Sequence, residues 1–254
     1  MSARTAVVTG AAGGIGRAIA QRLATEGWDV LSFDLVAPEV RDAAIADRVV
    51  DVRDNAAMCQ AMRAVAREYG GLALVVNNAG ITARAPLERM TFERWRDVVD
   101  VNLHGTFNGV QAAGLVMLEG GGGVIVNVAS IAAERGQPGR AAYGATKAAV
   151  VALTKTAAVE WAARGVRVNA VGPGYVDSGV YRAALAEGRL DNDEVLARIP
   201  SRRLAAADEI AAVVSFLASP AASYITGHVL YADGGFLADF GVGLVAETPP
   251  ESDA

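Results

Sequence analysis

The sequence predicts an α/β protein: one domain on a doubly wound parallel sheet of about seven strands, with helices on both faces. Short apolar runs alternate with longer helix-like segments from the start of the chain to about residue 233. Several of the runs are continuous and β-branched instead of alternating polar with apolar, as strands buried on both faces require. No internal repeat and no Pro/Gly/Ser linker divides the chain, so residues 1–235 read as a single unit and 236–254 as a tail.

Strands are expected at residues 5–8, 29–33, 48–50, 72–76, 124–128, 166–171 and 228–231. Segments rich in Ala, Leu, Arg and Glu at 15–26, 56–69 and 141–163 read as amphipathic or buried helices. Residues 179–204 break the rhythm. They form a helix-like insertion with several arginines and a Leu-Asp-Asn-Asp turn, lying between the sixth strand and the last helix. The tail carries Gly, Pro-Pro and acidic residues; it either covers a neighbouring subunit's pocket through 236–244 or is disordered beyond Pro249.

At 254 residues, 52% hydrophobic and 20% charged, the chain can bury a full core. The formal charge is −5, and no Lys/Arg-rich run appears, which speaks against a nucleic-acid partner. One cysteine, Cys59, excludes an internal disulfide and suits a reducing, cytoplasmic setting. Two histidines, His104 and His228, with that cysteine make no metal cluster, and no apolar stretch approaches the roughly 20 residues needed to span a bilayer.

The first strand ends in Thr9-Gly10-Ala11-Ala12-Gly13-Gly14-Ile15-Gly16 and runs into a helix. Glycines there permit a tight turn, let backbone approach a diphosphate and allow close helix–strand packing, while the helix N-terminus supplies amide donors. The spacing is G-x-x-x-G-x-G, and the absence of a following Lys-Ser/Thr excludes a P-loop. Asp34 closes the second strand, where a carboxylate accepts from both adenosine ribose hydroxyls and repels a 2′-phosphate. No cation lies inside the turn or directly after Asp34, and Arg17, in the first helical turn, is expected to be solvated. These residues point to NAD over NADP.

Tyr143 and Lys147 are four apart, so on a helix a phenol and an ammonium share one face. A free tyrosine has a pKa of about 10, and a fixed cation favours the phenolate. Lowering that pKa by about three units takes roughly 4 kcal/mol, which partly buried charges can supply, and yields a general base or acid near the working pH. Ser130 is not in G-x-S-x-G and neither histidine has a hydrolase context, which speaks against a serine hydrolase; His104 is expected to be structural or superficial.

Together these residues resemble the short, single-domain branch of the short-chain dehydrogenase/reductase family, whose fold is Rossmann-like. Thr9-Gly10-x-x-x-Gly14-Ile15-Gly16 resembles its cofactor loop, and Asp51-Val52 falls where members contact adenine. Asn77-Asn78-Ala79-Gly80 matches a family segment in which Asn78 to Gly80 line the adenosine ribose and Asn77 locks the sheet. Asn102, Ser130, Tyr143 and Lys147 occupy its catalytic positions. Pro173-Gly174-Tyr175-Val176 resembles the loop that meets the nicotinamide, and Ile225-Thr226-Gly227 with Asp233-Gly234-Gly235 resembles the closing strand. Ser178 departs from the usual threonine but keeps the hydroxyl.

The resemblance implies hydride exchange between a secondary alcohol or ketone and NAD. Tyr143 would be the proton carrier, Ser130 would bond the substrate oxygen, Lys147 would hold the nicotinamide ribose, and Asn102 would keep a water beside Lys147. It also implies a homotetramer or dimer in which helices of 91–117 and 141–163 pack across a two-fold axis. The substrate, a sugar, polyol, cyclic alcohol or hydroxy acid, is expected to meet residues 131–137, Arg84 and the insertion. Arg135, Arg182, Arg189, Arg198, Arg202 and Arg203 either bind an anionic substrate or are solvated. Two other readings stay open: a 3-oxoacyl-carrier-protein reductase, a group that favours NADP, and a non-catalytic dinucleotide-binding regulator.

Overall fold

In the computed structural model, residues 4–239 and 241 are described. The strands are β1 (Thr5–Thr9), β2 (Asp29–Asp34), β3 (Ile45–Val49), β4 (Leu74–Asn77), β5 (Gly123–Val128), β6 (Val166–Pro173) and β7 (Val229–Ala232). They form one parallel sheet in the order β3-β2-β1-β4-β5-β6-β7. The helices are α1 (Gly14–Thr25), α2 (Asn55–Tyr69), α3 (Phe92–Val99), α4 (Gly105–Gly120), α5 (Ala141–Trp161), α6 (Gly179–Ala186), α7 (Asn192–Ala197) and α8 (Ala207–Ala218).

Burial on both faces follows from the continuous apolar strands. On one face Val7, Leu31, Phe33, Val75 and Ile125 pack against Met58, Met62 and Val65 of α2, Val110 and Met117 of α4, and Ala157 of α5. On the other, Ala6, Val8, Val30, Leu74 and Val126 meet Ile19 and Leu23 of α1 and Ile210, Val214 and Leu217 of α8. Neighbouring residues of β1 thus serve opposite cores, as a period of two requires.

The structure refines the sequence expectation in three places. The third strand, expected at 48–50, is Ile45–Val49, because an edge strand tolerates the polar Asp47 and Arg48 that broke the apolar signal; Val49 itself is 73% exposed. The segment 91–117, expected to be helical, is α3, a π-helical turn at Asp100–His104, and α4. The insertion folds into α6 and α7, and its two ends meet: Asp177 N–H donates to the Ala205 carbonyl at 2.9 Å and Ala205 N–H to Tyr175 at 2.9 Å. It carries a small core of its own (Tyr181, Val195 and Ile199), joined by Tyr175 and Phe236. Phe236, read as the head of the tail, therefore packs within the fold. Most of the remaining tail lies outside the described residues.

The strand order reverses direction between β1 and β4, where the loops leaving the strands' C-terminal ends diverge and leave a crevice. A buried polar chain fixes α5 over that crevice. Asn77 Nδ2 donates to Asn127 Oδ1 (2.9 Å), Asn127 Nδ2 to Thr154 Oγ1 (2.9 Å), and Thr154 Oγ1 to the Val150 carbonyl (2.8 Å). Asn77 thus ties β4 to β5, in keeping with the sheet-locking expected of it. Among the described residues no helix is long and apolar enough to cross a membrane, and no group of His, Cys, Asp and Glu could hold a metal.

Candidate active site

The glycine turn after β1 is tight on one side and open on the other. Gly10 has φ +65°, and a Cβ there would lie 2.7 Å from Ala79 Cα. A Cβ on Gly16 would lie 2.2 Å from the Gly10 carbonyl oxygen and 2.4 Å from Asn78 Nδ2. Asn78 fixes the turn from across the sheet, with Nδ2 donating to the carbonyls of Thr9 (3.0 Å) and Gly10 (2.9 Å). Thr9 Oγ1 in return accepts from the backbone N–H groups of Asn78 (3.0 Å) and Ala79 (3.1 Å). Gly13 and Gly14, in contrast, have nothing within 4 Å of an added Cβ. That open cradle stands at the N-terminus of α1, whose first amides have no side-chain cap, so the residues present fit a dinucleotide diphosphate.

Asp34 stands beside the cradle. Its Oδ2 accepts from Ala12 N–H (2.9 Å) and its Oδ1 from Leu35 N–H (2.7 Å), and each oxygen keeps acceptor capacity for a ribose hydroxyl. The expectation of a solvated Arg17 is corrected. Its side chain is only 12% exposed, with Nη2 donating to the Val40 carbonyl at 3.2 Å and Nη1 3.8 Å from Asp47. It is held against β3 and the connection before it, and among the described residues no arginine or lysine pairs with Asp34. Asp51 is clamped by Arg53 (Nη2 to Oδ2, 2.7 Å), a bond that holds its carboxyl below the usual range.

Tyr143 and Lys147 share a face of α5, and Lys147 Nζ lies 5.7 Å from the centre of the Tyr143 ring. Lys147 is buried, and Nζ donates to the Val128 carbonyl at 2.6 Å. Burial pushes the ammonium below the usual lysine range, while Tyr143 acts the other way. Ser130 caps the short 3-10 turn Ile131–Ala133, its Oγ accepting from Ala132 N–H at 3.1 Å, so its own hydrogen is free to donate. Asn102 is fully buried in the π-helical turn. Its Oδ1 accepts from Ile81 N–H (2.8 Å), and its Nδ2 donates to the Ile81 carbonyl (2.9 Å) and Thr146 Oγ1 (3.3 Å). Both amide hydrogens are thus spent on clamping the loop after β4 to α5, leaving one acceptor lone pair for a water.

One cavity of about 730 Å³ gathers nearly all the residues singled out in the sequence. Gly10, Gly14, Ile15, Asp34, Asp51, Val52, Asn78, Ala79, Gly80, Ser130, Tyr143, Lys147, Pro173, Gly174, Val176 and Ser178 line it. Gly16 and Asn102 stand behind the wall. A family model described as enoyl-(acyl carrier protein) reductase matches residues 10–237. The chain belongs to the short-chain dehydrogenase/reductase family. It is 41% identical over 245 residues to the 3-oxoacyl-[acyl-carrier-protein] reductase FabG of Staphylococcus aureus (strain N315), covering 91% of this chain and 97% of that protein. It is 42% identical over 245 residues to the D-threitol dehydrogenase of Mycolicibacterium smegmatis, covering 93% and 94%. Among solved structures, the Thermoplasma acidophilum aldohexose dehydrogenase superposes with a TM-score of 0.89 at 34% identity, covering 96% and 97%. The NADP-bound structure of ElxO superposes with a TM-score of 0.88 at 29% identity, covering 94% and 100%.

A family member of this kind binds a nicotinamide dinucleotide in such a crevice. Ser178, the residue that departs from the family pattern, caps α6, with Oγ accepting from Tyr181 N–H at 3.4 Å. Of the insertion arginines only Arg189 lines the cavity among the described residues. Arg182 pairs with Asp177 (2.7 Å) and Arg203 with Glu209 (2.7 Å), Arg202 donates to the Ala197 carbonyl, and Arg198 and Arg135 are exposed. Sequence reasoning missed Arg140, whose guanidinium carbon lies 4.1 Å from the centre of the Tyr143 ring. Its one signal was its place three residues ahead of Tyr143, one helical turn away.

Proposed function

We propose that the chain is an NAD-dependent oxidoreductase that interconverts a secondary alcohol and a ketone on a sugar, polyol, cyclic alcohol or hydroxy acid. The observation that carries this reading is the convergence of Ser130, Tyr143 and Lys147 on the cavity that begins at the open glycine cradle. Hydride exchange with the carbinol carbon is the chemistry that the nicotinamide supplies when bound. The protein's own part is orientation and proton traffic. In oxidation Tyr143 takes the alcohol proton at its phenolic oxygen; in reduction it returns one. Ser130 donates its free hydrogen to the substrate oxygen, where negative charge develops. Lys147 holds a buried positive charge beside Tyr143 and offers its remaining hydrogens to the nicotinamide ribose. Asn102 fixes the distance between the loop after β4 and α5 and leaves one lone pair for a water in the relay to solvent.

Asp34 supports NAD, since a 2′-phosphate would face a carboxylate that no cation pairs with among the described residues. Initial rates with each cofactor test this: kcat/KM is expected to favour NAD by about 10-fold or more, and Asp34→Ala to narrow that ratio. A wild-type preference for NADP would overturn the assignment. The similarity to the S. aureus FabG favours a second reading, reduction of 3-oxoacyl thioesters on a carrier protein. Turnover of such a thioester with NADPH, faster than any alcohol with NAD, would select it.

The assembly is proposed as a homotetramer, in a reducing cytoplasm that suits the single half-buried Cys59. Phe92, Phe107, Leu115 and Val159 present apolar surface on α3, α4 and α5. Light scattering of the purified chain is expected to give four times its 26.1 kDa mass, and Val159→Glu to lower it. A wild-type monomer would exclude this arrangement.

A further inference from the structure

The geometry points to an anion-binding subsite at the substrate end of the cavity: Arg84 and Arg140, with Arg189 at its rim, hold a carboxylate or phosphate carried by the alcohol or ketone. This rests on the proposed reaction and adds the substrate's charge class to it.

The cavity is electrostatically lopsided. Its acidic lining residues, Asp34 and Asp51, stand at the end of β2 and after β3, while Arg84, Arg140, Arg189 and Lys147 face the other end without a lining carboxylate among the described residues. The backbone holds two of these arginines together. Ala85 N–H donates to the Gly139 carbonyl at 3.0 Å, so Arg84 and Arg140, each next in sequence to one bonded residue, stand on adjoining strands of loop. Burial, then the charges of Arg140 and Arg189, push Arg84 below the usual arginine range.

Neither Arg84 nor Arg140 is neutralised by an acid among the described residues. Arg140 donates to Gln137 Oε1 (2.9 Å) and Thr82 Oγ1 (3.3 Å), both uncharged, and its Nε is buried with no partner. Arg84 makes no hydrogen bond or ion pair with a described residue, and Arg189 is half-occupied by the exposed Glu187. Like charges gathered in a partly dry pocket cost free energy, and a bound anion removes that cost. Planar guanidinium groups fit the two oxygens of a carboxylate or phosphate. The stack of Arg140 on the Tyr143 ring sets the anion beside the proton-transfer residue, so the oxidised carbon lies a few bonds from the acidic group.

The test uses the full chain with saturating NAD and skeleton-matched substrates: hydroxy acids and sugar acids, the corresponding sugar phosphates, and their neutral esters or parent polyols. Wild type is expected to prefer one anionic series over its neutral counterpart by about 10-fold or more in kcat/KM, chiefly through KM. Which series wins separates carboxylate from phosphate. Arg84→Gln is expected to lower kcat/KM for the preferred anionic series by about 10-fold or more, the scale of a lost hydrogen bond to a charged group, and so to remove most of the preference. A binding measurement runs beside it: malonate and inorganic phosphate, at ionic strength matched with NaCl, are expected to raise the melting temperature of the NAD complex in wild type and Tyr143→Phe but not in Arg84→Gln. A preference for neutral substrates, or equal anion stabilisation in wild type and Arg84→Gln, overturns the subsite. Anion stabilisation that depends on Arg84, without turnover of any alcohol, keeps the subsite and instead overturns the proposed reaction.

Discussion

Tyr143→Phe is expected to lower kcat by about 100-fold or more while NAD binding stays within about two-fold of wild type. The substitution removes one oxygen and nothing else. Among the described residues that hydroxyl makes no hydrogen bond within the protein, so neither the fold nor the cradle should respond to its loss. The ring remains, and with it the stack of Arg140 and the 5.7 Å approach of Lys147. Ser130 still donates to the substrate oxygen, but the groups packed on the Tyr143 ring do not replace its hydroxyl: Lys147 is bound to the Val128 carbonyl, and the Arg140 guanidinium has donors only and no acceptor for a proton. Steady-state rates with calorimetric NAD titration of the same samples separate the two effects. Turnover within about three-fold of wild type would mean that the proton travels by another route and that the mechanism is wrong.

Much of this arrangement was legible in the sequence because it rests on local rules. Buried strands write continuous apolar runs, and a glycine turn between strand and helix reports a backbone that must pass close to something. Tyr143 and Lys147 were legible because the helical period alone brings them together. Long-range pairing was not. The extent of β3 depends on register with β2, which carries Asp47 and Arg48 into a strand their polarity disfavours. The π-helical turn at Asp100–His104 follows from Asn102 bonding both backbone groups of Ile81, a partner 21 residues away. Arg17 was misjudged for the same reason, since its partners Val40 and Asp47 are brought near only by the connection between β2 and β3. The arginines at the substrate end show this most clearly. Those concentrated in the insertion proved mostly paired or exposed, whereas Arg84, expected at the pocket, is joined there by Arg140, which no local rule placed beside it; the two meet through the bond between Ala85 and Gly139.

The glycine turn yields a second large effect, and a contrast that separates packing from binding. Gly16→Ala places a methyl 2.2 Å from the Gly10 carbonyl oxygen and 2.4 Å from Asn78 Nδ2, and neither neighbour is free to move. The carbonyl belongs to the turn itself, and Asn78 is held by its bonds to Thr9 and Gly10. Overpacking of this kind costs about 1–3 kcal/mol, and for a domain of this size each kcal/mol lowers Tm by about 2–4 °C. The cofactor-free protein is therefore expected to melt several degrees below wild type. Gly13→Ala adds the same methyl where nothing lies within 4 Å, on an extended backbone with φ −162° that any residue adopts. Its cofactor-free Tm is expected to match wild type. The added methyl stands in the open cradle, so the rise in Tm that NAD produces by mass action should shrink. Melting curves of both variants with and without NAD read the two costs separately. Equal cofactor-free stability for Gly16→Ala and Gly13→Ala would mean that the turn relaxes around Gly16, and that the close helix–strand approach does not constrain this residue.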